Sequence, residues 1–248
     1  MENTLYVALS RQMALRREME IISNNMANMS TAAYKAERPM FRTFLEGRGE
    51  DPTVDPADGG AIAFVHDYGT ARDLAAGSIV PTANPTDLAI KGEGYFAVQT
   101  ADGERFTRDG HFTVDAGGRL VTRDGNPVLG ANGQPLILPR DGEPPVIAAD
   151  GTVSAGNVPV GRLRLVAFDN PRLLAKEGSG LLAAPADAEP RTGDVQVIQD
   201  MVEESNVQPI VEMTRMIDVS RGYQTMQTLM NTQQDLLRSA IEKLGKVA

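Results

Sequence analysis

The first thirty residues carry a stripe at Leu5, Ala8, Gln12, Leu15, Met19, Ile22, Met26 and Met29, with steps that alternate between three and four. Gln12 is its one polar member. This alternation is a heptad seam, and it predicts a helix of roughly 25 residues, about 37 Å long. The chain end repeats the device at Met216, Val219, Tyr223, Met226, Met230, Gln233, Leu237, Ala240, Leu244 and Val247, again with one glutamine. Pro209 limits how far upstream this second helix runs, because an interior proline removes a hydrogen bond and collides with the preceding turn. Matching seams at opposite termini predict that the two helices pair as an antiparallel coiled coil.

Between them the periodicity changes. Asp102-Gly103, Asp109-Gly110, Gly117-Gly118, Asp124-Gly125, Asn132-Gly133, Asp141-Gly142 and Asp150-Gly151 punctuate the chain every seven to nine residues. Such dipeptides supply the positive φ angles of tight turns. The intervals alternate apolar and polar, as in His111-Phe112-Thr113-Val114. Short strands at this spacing predict an all-β domain over residues 81–196, with strands at 95–99 and 162–168 among others. Residues 36–80 read as an extended linker: EGRGEDPTVDPADGG (46–60) has the composition of a connector or turn, and the AIAFVHDYGT that follows is compatible with a strand. The expected class is α+β, divided into an N-terminal helix (1–35), the linker (36–80), the β domain (81–196) and a C-terminal helix (197–248).

Composition narrows the function. Hydrophobic residues make up 42% and charged residues 23%, ordinary for a soluble globular protein. Of the net charge of −9, residues 1–35 and 212–248 each carry +1, so the middle carries −11. That balance argues against binding to nucleic acid or to an acidic membrane surface. The absence of cysteine excludes disulfides, thiolate metal sites and cysteine nucleophiles. No apolar run reaches the ~18 residues of a membrane span, and no basic-then-apolar leader opens the chain, so neither membrane insertion nor a cleavable signal peptide is expected.

Chemistry is sparse. KGEGYFA (91–97) contains the G-x-G-x-x-A spacing of dinucleotide sites, but that motif needs a strand turning into a helix. Here Tyr95-Phe96-Ala97-Val98 reads as a strand, so the motif is expected to be a hairpin turn. His66 and His111 stand near Asp67 and Asp109, without a strained nucleophile turn and with too few ligands for a metal. Five of the ten aspartates in residues 81–196 directly precede a glycine, where aspartate serves the turn. The reading assigns no catalytic residue, no cofactor and no metal. SNNMANMSTAAYK (23–35) reads instead as a helix exit. The helix persists to about Met29, while Asn24, Asn25 and Asn28 lie off the seam, free to bond neighbouring subunits or the last carbonyls. Ser30 to Lys35, with Tyr34 between, then lead the chain out. A single stripe between two helices does not offset the ordering of both ends, so the seams require further surfaces, most naturally on neighbouring subunits.

Four stretches carry a family resemblance. SNNMANMSTAAYKAERPMF, NPTDLAIKGEGYFAV (84–98), RFTRDGHFTVDAGGRLVTRDGNPVLG (105–130) and EESNVQPIVEMTRMIDVSRGYQTMQTLM are similar, in this order, to the signatures of the flagellar axial proteins of the bacterial basal-body rod and hook. The match is nearest to the proximal rod proteins, with the distal rod proteins as the alternative. The latter usually read Gln-Arg-Ala-Tyr where this chain has Ser220-Arg221-Gly222-Tyr223. The resemblance implies an inner coiled-coil layer of terminal helices with a β domain outside it. It also implies export through the flagellar type III apparatus without a cleavable signal, and helical polymerisation in the periplasm with other copies and other rod proteins. The implied work is torque transmission without substrate turnover. A remote alternative is a periplasmic β-domain hydrolase with helical oligomerisation ends. Met26 and Met29 stand where the family often has Leu and Val, and Ala33 where Gly is common; all three read as conservative for packing.

Overall fold

The computed structural model describes residues 2–46, 62–139, 144–156, 158–185, 187–191 and 195–245, with the side chains of 2–5, 44–46, 62–64, 244 and 245 outside the description. The chain is α+β, with a helix at each end and strands between, and it divides into two compact units.

The first unit comprises Met1–Ala27, Glu37–Asp73 and Gln208–Ala248. Helix α1 (Glu2–Ala27) packs against helix α2 (Pro209–Gly245) and against a hairpin of β1 (Glu37–Glu46) and β2 (Ile62–Arg72). β1 and β2 pair antiparallel over ten positions, from Glu37 opposite Arg72 to Glu46 opposite Ile62, with a bulge at Met40/Phe41. Pro209 sits in the first turn of α2, where its missing N–H is no loss. α1 buries two stripes. Leu15 and Ile22 face α2, while Ala14, Ile21 and Asn25 lie about 100° round the helix, consistent with the packing of α1 against β1 and β2. An isolated two-stranded hairpin is marginal in water, and the second stripe of α1 supplies the apolar backing that this one needs.

The second unit comprises Asn28–Ala36 and Leu74–Val207. Its strands are β3 (Ile79–Pro81), β4 (Leu88–Lys91), β5 (Tyr95–Thr100), β6 (Gly103–Thr107), β7 (Phe112–Val114), β8 (Leu120–Thr122), β9 (Pro145–Ile147), β10 (Thr152–Ala155), β11 (Val158–Arg162), β12 (Leu165–Val166), β13 (Ala175–Glu177), β14 (Leu181–Ala183), β15 (Gln196–Gln199) and β16 (Met201–Glu203). Every pairing is antiparallel: a five-stranded sheet in the order β12-β5-β6-β14-β13, a three-stranded sheet β11-β10-β9, and the pairs β4-β15, β3-β16 and β7-β8.

β5 explains why YFAV is a continuous apolar run. Successive side chains of a strand point to opposite faces. Phe96 and Val98 enter one core with Leu88, Ile90, Phe112, Leu120 and Val153, whereas Tyr95 and Ala97 enter a second with Phe106, Val166 and Phe168. Aromatic pairs stiffen both: Phe96 meets Phe112 edge-on at 5.1 Å, and Phe106 meets Phe168 at 4.9 Å. KGEGYFA does not form the expected hairpin turn, because β4 pairs with β15 and β5 pairs with β6 and β12. It turns the chain from one sheet into another.

The turn glycines divide by cause. Gly103, Gly118, Gly125, Gly133 and Gly151 have positive φ, as their dipeptides predict, while Gly142 lies outside the described residues. Gly110 does not; a Cβ there would lie 1.6 Å from the Leu88 carbonyl oxygen, so close backbone approach requires it.

Gly222 has neither reason. It is inside α2, and an added Cβ would sit 3.6 Å from Cδ2 of Leu15, ordinary contact distance. Gly222→Ala should therefore stabilise the first unit by about 1 kcal/mol through helix propensity. The check is the midpoint of thermal unfolding followed by helical circular dichroism, which should rise.

Candidate assembly site

The two seams meet over part of their length. Leu15, Ile22 and Val219 are buried together, with Met19, Met26, Met216 and Tyr223 packed on them. Gln12 Nε2 donates to Gln227 Oε1 at 2.6 Å, and Asn25 Nδ2 donates to Glu212 Oε2 at 3.3 Å. Partners on α2 fall in number as those on α1 rise, so the helices run antiparallel. Of the remaining predicted positions, Ala8 is buried and Gln12, Met226, Met230 and Gln233 are half-buried. Leu237, Ala240 and Met29 are exposed. The side chains of Leu5 and Leu244, and Val247 altogether, lie outside the described residues. Gln227, which the seam pattern passes over, is the glutamine that answers Gln12.

The exit signature divides at the end of α1, which comes at Ala27 rather than at Met29. Asn24 is exposed, but Asn25 is only 1% exposed and turns inward. Its Oδ1 accepts from the Glu37 N–H at 2.9 Å and its Nδ2 donates to the Glu37 carbonyl at 2.8 Å, so the side-chain amide pairs with the start of β1 as a strand would. Glu212, itself buried, also accepts from Arg215 Nη1 at 3.1 Å. Asn28 Oδ1 accepts from the Thr31 hydroxyl at 3.2 Å in the turn that follows.

Within the second unit, residues 33–36 are fastened to 203–207. The Ala33 N–H donates to the Glu203 carbonyl at 2.8 Å, the Asn206 N–H to the Tyr34 carbonyl at 3.2 Å, and the Ala36 N–H to Asn206 Oδ1 at 2.8 Å. Tyr34 is buried against Ala36 and Val207, and Lys176 Nζ lies 4.7 Å from its ring centroid. The strongest element is ionic. Glu203 is 2% exposed, and its Oε1 accepts from Lys35 Nζ at 2.5 Å and from the Gly77 N–H at 2.9 Å. Its Oε2 accepts from Arg108 Nε at 2.7 Å. The cations are bonded further: Lys35 Nζ to the Ala75 carbonyl, and Arg108 to the carbonyls of Gly94 and Ile90. Burial pushes the Glu203 carboxyl up, but the Arg108 charge and the hydrogen bonds from Lys35, Arg108 and Gly77 outweigh it and hold the group below its ordinary value.

Spacing and periodicity do not single out Glu203, Arg108, Asn206 or Glu212, although all four lie in stretches that carry the family resemblance, RFTRDGHFTVDAGGRLVTRDGNPVLG and EESNVQPIVEMTRMIDVSRGYQTMQTLM. A carboxylate directly after the apolar Met201-Val202 pair is a local signal for Glu203, and Glu204, its exposed neighbour, offers almost the same one. Ala33 takes φ +54°, the left-handed region. Its replacement of the family's usual glycine is thus a matter of backbone strain rather than packing.

Three family models match the chain: a flagella basal body rod protein model over residues 5–35, a flagellar hook protein FlgE/F/G D1 domain model over 89–155, and a flagellar basal body rod FlgEFG protein C-terminal model over 198–243. The chain is 44% identical to the flagellar basal-body rod protein FlgF of Caulobacter vibrioides, covering 100% of both chains. It is 37% identical to FlgF of Mesorhizobium japonicum, over 99% of each. Identity to the flagellar basal-body rod protein FlgG of Bacillus subtilis is 31%, over 97% of this chain and 98% of that protein.

Two outcomes follow for the fastening. Glu203→Gln leaves two partly buried cations without their counter-charge and should cost about 3 kcal/mol. Because the folded value of Glu203 is lowered, its contribution is fully present above the ordinary glutamate value of 4.5 and fades as pH falls through the folded value. Thermal melts from pH 7 down to pH 3 should show the unaltered protein losing this increment on acidification, with the variant flatter. Ala33→Gly relieves left-handed strain of about 1–2 kcal/mol against a backbone entropy cost of about 0.5–1 kcal/mol. The same melts should therefore place its midpoint level with the unaltered protein or a few degrees above.

Proposed function

The chain belongs to the flagellar basal-body rod protein family, and we propose that it serves as a structural subunit of the proximal rod, joining its neighbours through its terminal helices and passing torque along them. Full-length relatives that bear the rod-protein name support the subunit role. The observation that carries the assembly reading is the overhang of α2. Gln12 lies opposite Gln227, so an antiparallel α1 reaches its first residue near Leu237, whereas α2 continues to Gly245. Leu236, just before that point, is 65% exposed, and Ile241, beyond it, 69%. An apolar helix end of this kind is suited to burial between subunits, where the two seams extend into a coiled-coil contact.

The partners in this reading are other copies and other axial subunits of the rod. Export through the flagellar type III apparatus and a place in the periplasm belong to this reading, and a cysteine-free chain is compatible with both. No described helix is long and apolar enough to cross a membrane. The acidic middle region disfavours nucleic acid. The work is mechanical, with no substrate turned over.

Met226→Asp places a charge in the seam, which costs several kcal/mol if it is left unpaired and dry. It should abolish swimming and recovery of the protein in isolated basal bodies, as should removal of residues 216–248, while melting of the β unit stays unchanged. Continued incorporation of either variant would count decisively against assembly through these helices.

A further inference from the structure

Beyond the seam, each helix carries a second apolar triplet. On α1 these are Tyr6, Leu9 and Met13, exposed by 58%, 44% and 65%; on α2 they are Ile210, Met213 and Ile217, exposed by 81%, 53% and 51%. The steps are three and four in both cases. At about 100° per residue the triplets lie roughly 120–180° away from Leu15 on α1 and from Val219 on α2, so each faces away from the other helix. They also stand at opposite ends of the pair, because the start of α1 lies beside the far part of α2.

We propose that these triplets are the two halves of one contact: the Tyr6–Leu9–Met13 face of one copy packs on the Ile210–Met213–Ile217 face of a second copy of this chain. The proposal rests on the rod-subunit reading and assigns it specific residues. Six large apolar side chains on the outer faces of two helices are excess surface for a monomer, and equal length and spacing let the two ridges interdigitate. Because the halves differ and sit at opposite ends, the contact is heterologous, joining copies into an open polymer rather than a closed dimer.

Direction follows from charge. Arg16 comes three residues after Met13 and Arg221 four after Ile217. Parallel ridges would set these arginines side by side, whereas antiparallel ridges place them at opposite ends of the contact. Met13 then meets Ile210, Leu9 meets Met213, and Tyr6 meets Ile217. The antiparallel pairing within a copy puts Leu9 level with about residue 229 of α2 and Met213 level with about residue 25 of α1. Adjoining copies are therefore offset by about 16 residues, roughly 24 Å along the helices.

The cysteine-free sequence makes a direct test possible. Met13→Cys and Ile210→Cys chains are produced together in one cell, basal bodies are isolated, and mild oxidation is followed by non-reducing electrophoresis. A cross-linked dimer is expected only when both variants are present, and not for Met13→Cys with Ile217→Cys. Cross-linking by either variant alone, or incorporation without any dimer, overturns the proposal. If the cysteine variants do not enter basal bodies, a charge pair decides. Met13→Lys and Ile210→Glu should each be excluded singly and admitted together, and exclusion of the pair overturns the proposal. Should the unaltered chain itself be missing from basal bodies, the rod-subunit reading fails, and this contact with it.

Discussion

Glu203 places a negative charge where water does not reach, and two stretches of chain far apart in sequence must be present for that charge to be tolerated. Lys35 arrives from the segment after α1 and Arg108 from the end of β6, and between them they satisfy both carboxylate oxygens. A buried ion set of this kind is weak as a source of net stability but costly to break, because removing one member strands the others. It therefore acts as a specification. In the arrangement that compensates this charge, the five-residue stretch 203–207, immediately upstream of α2, has residues 33–36 seated beside it.

The backbone bonds and Asn206 extend that constraint along residues 33–36 and 203–207. α1 ends at Ala27 and α2 begins at Pro209, so the segments that lead out of one helix and into the other are held to each other within the β unit. Inside the helical unit a second polar device works similarly: Asn25 pairs with the backbone of Glu37 and with Glu212, tying helix, strand and helix at a single amide. Polar groups buried at defined positions resist sliding more than apolar ones do, since a shift leaves them unsatisfied.

Different physical signals made some features legible and hid others. The heptad stripes and the turn dipeptides are local and periodic, so the two helices and the antiparallel β region could be read from spacing. The β1-β2 hairpin was not read as such. Its strands are separated by an acidic, Gly- and Pro-rich stretch whose composition suggests a connector, and what makes them a hairpin is packing on the second stripe of α1. The aromatic and β-branched residues of PMFRTF and AFVHDY on either side of that stretch were the available clue. KGEGYFA shows the same limit: a turn between two strands was legible, but the pairing of β4 with β15, about a hundred residues away, was not.

By itself, then, the order of residues determined the two terminal helices and a central region of short strands, the apolar stripe along each helix, and, through four ordered signatures, the family. These properties depend on neighbours a few positions apart, and helical or strand geometry repeats over that range. Only the tertiary structure decided which residues of similar appearance bear the load. Glu203 is buried and doubly paired while Glu204 is exposed, Asn25 turns inward while Asn24 does not, and Gln12 finds Gln227 rather than a member of the predicted seam. Each of these outcomes turns on which distant segment arrives beside the residue, and desolvation and hydrogen bonding act only once it has arrived.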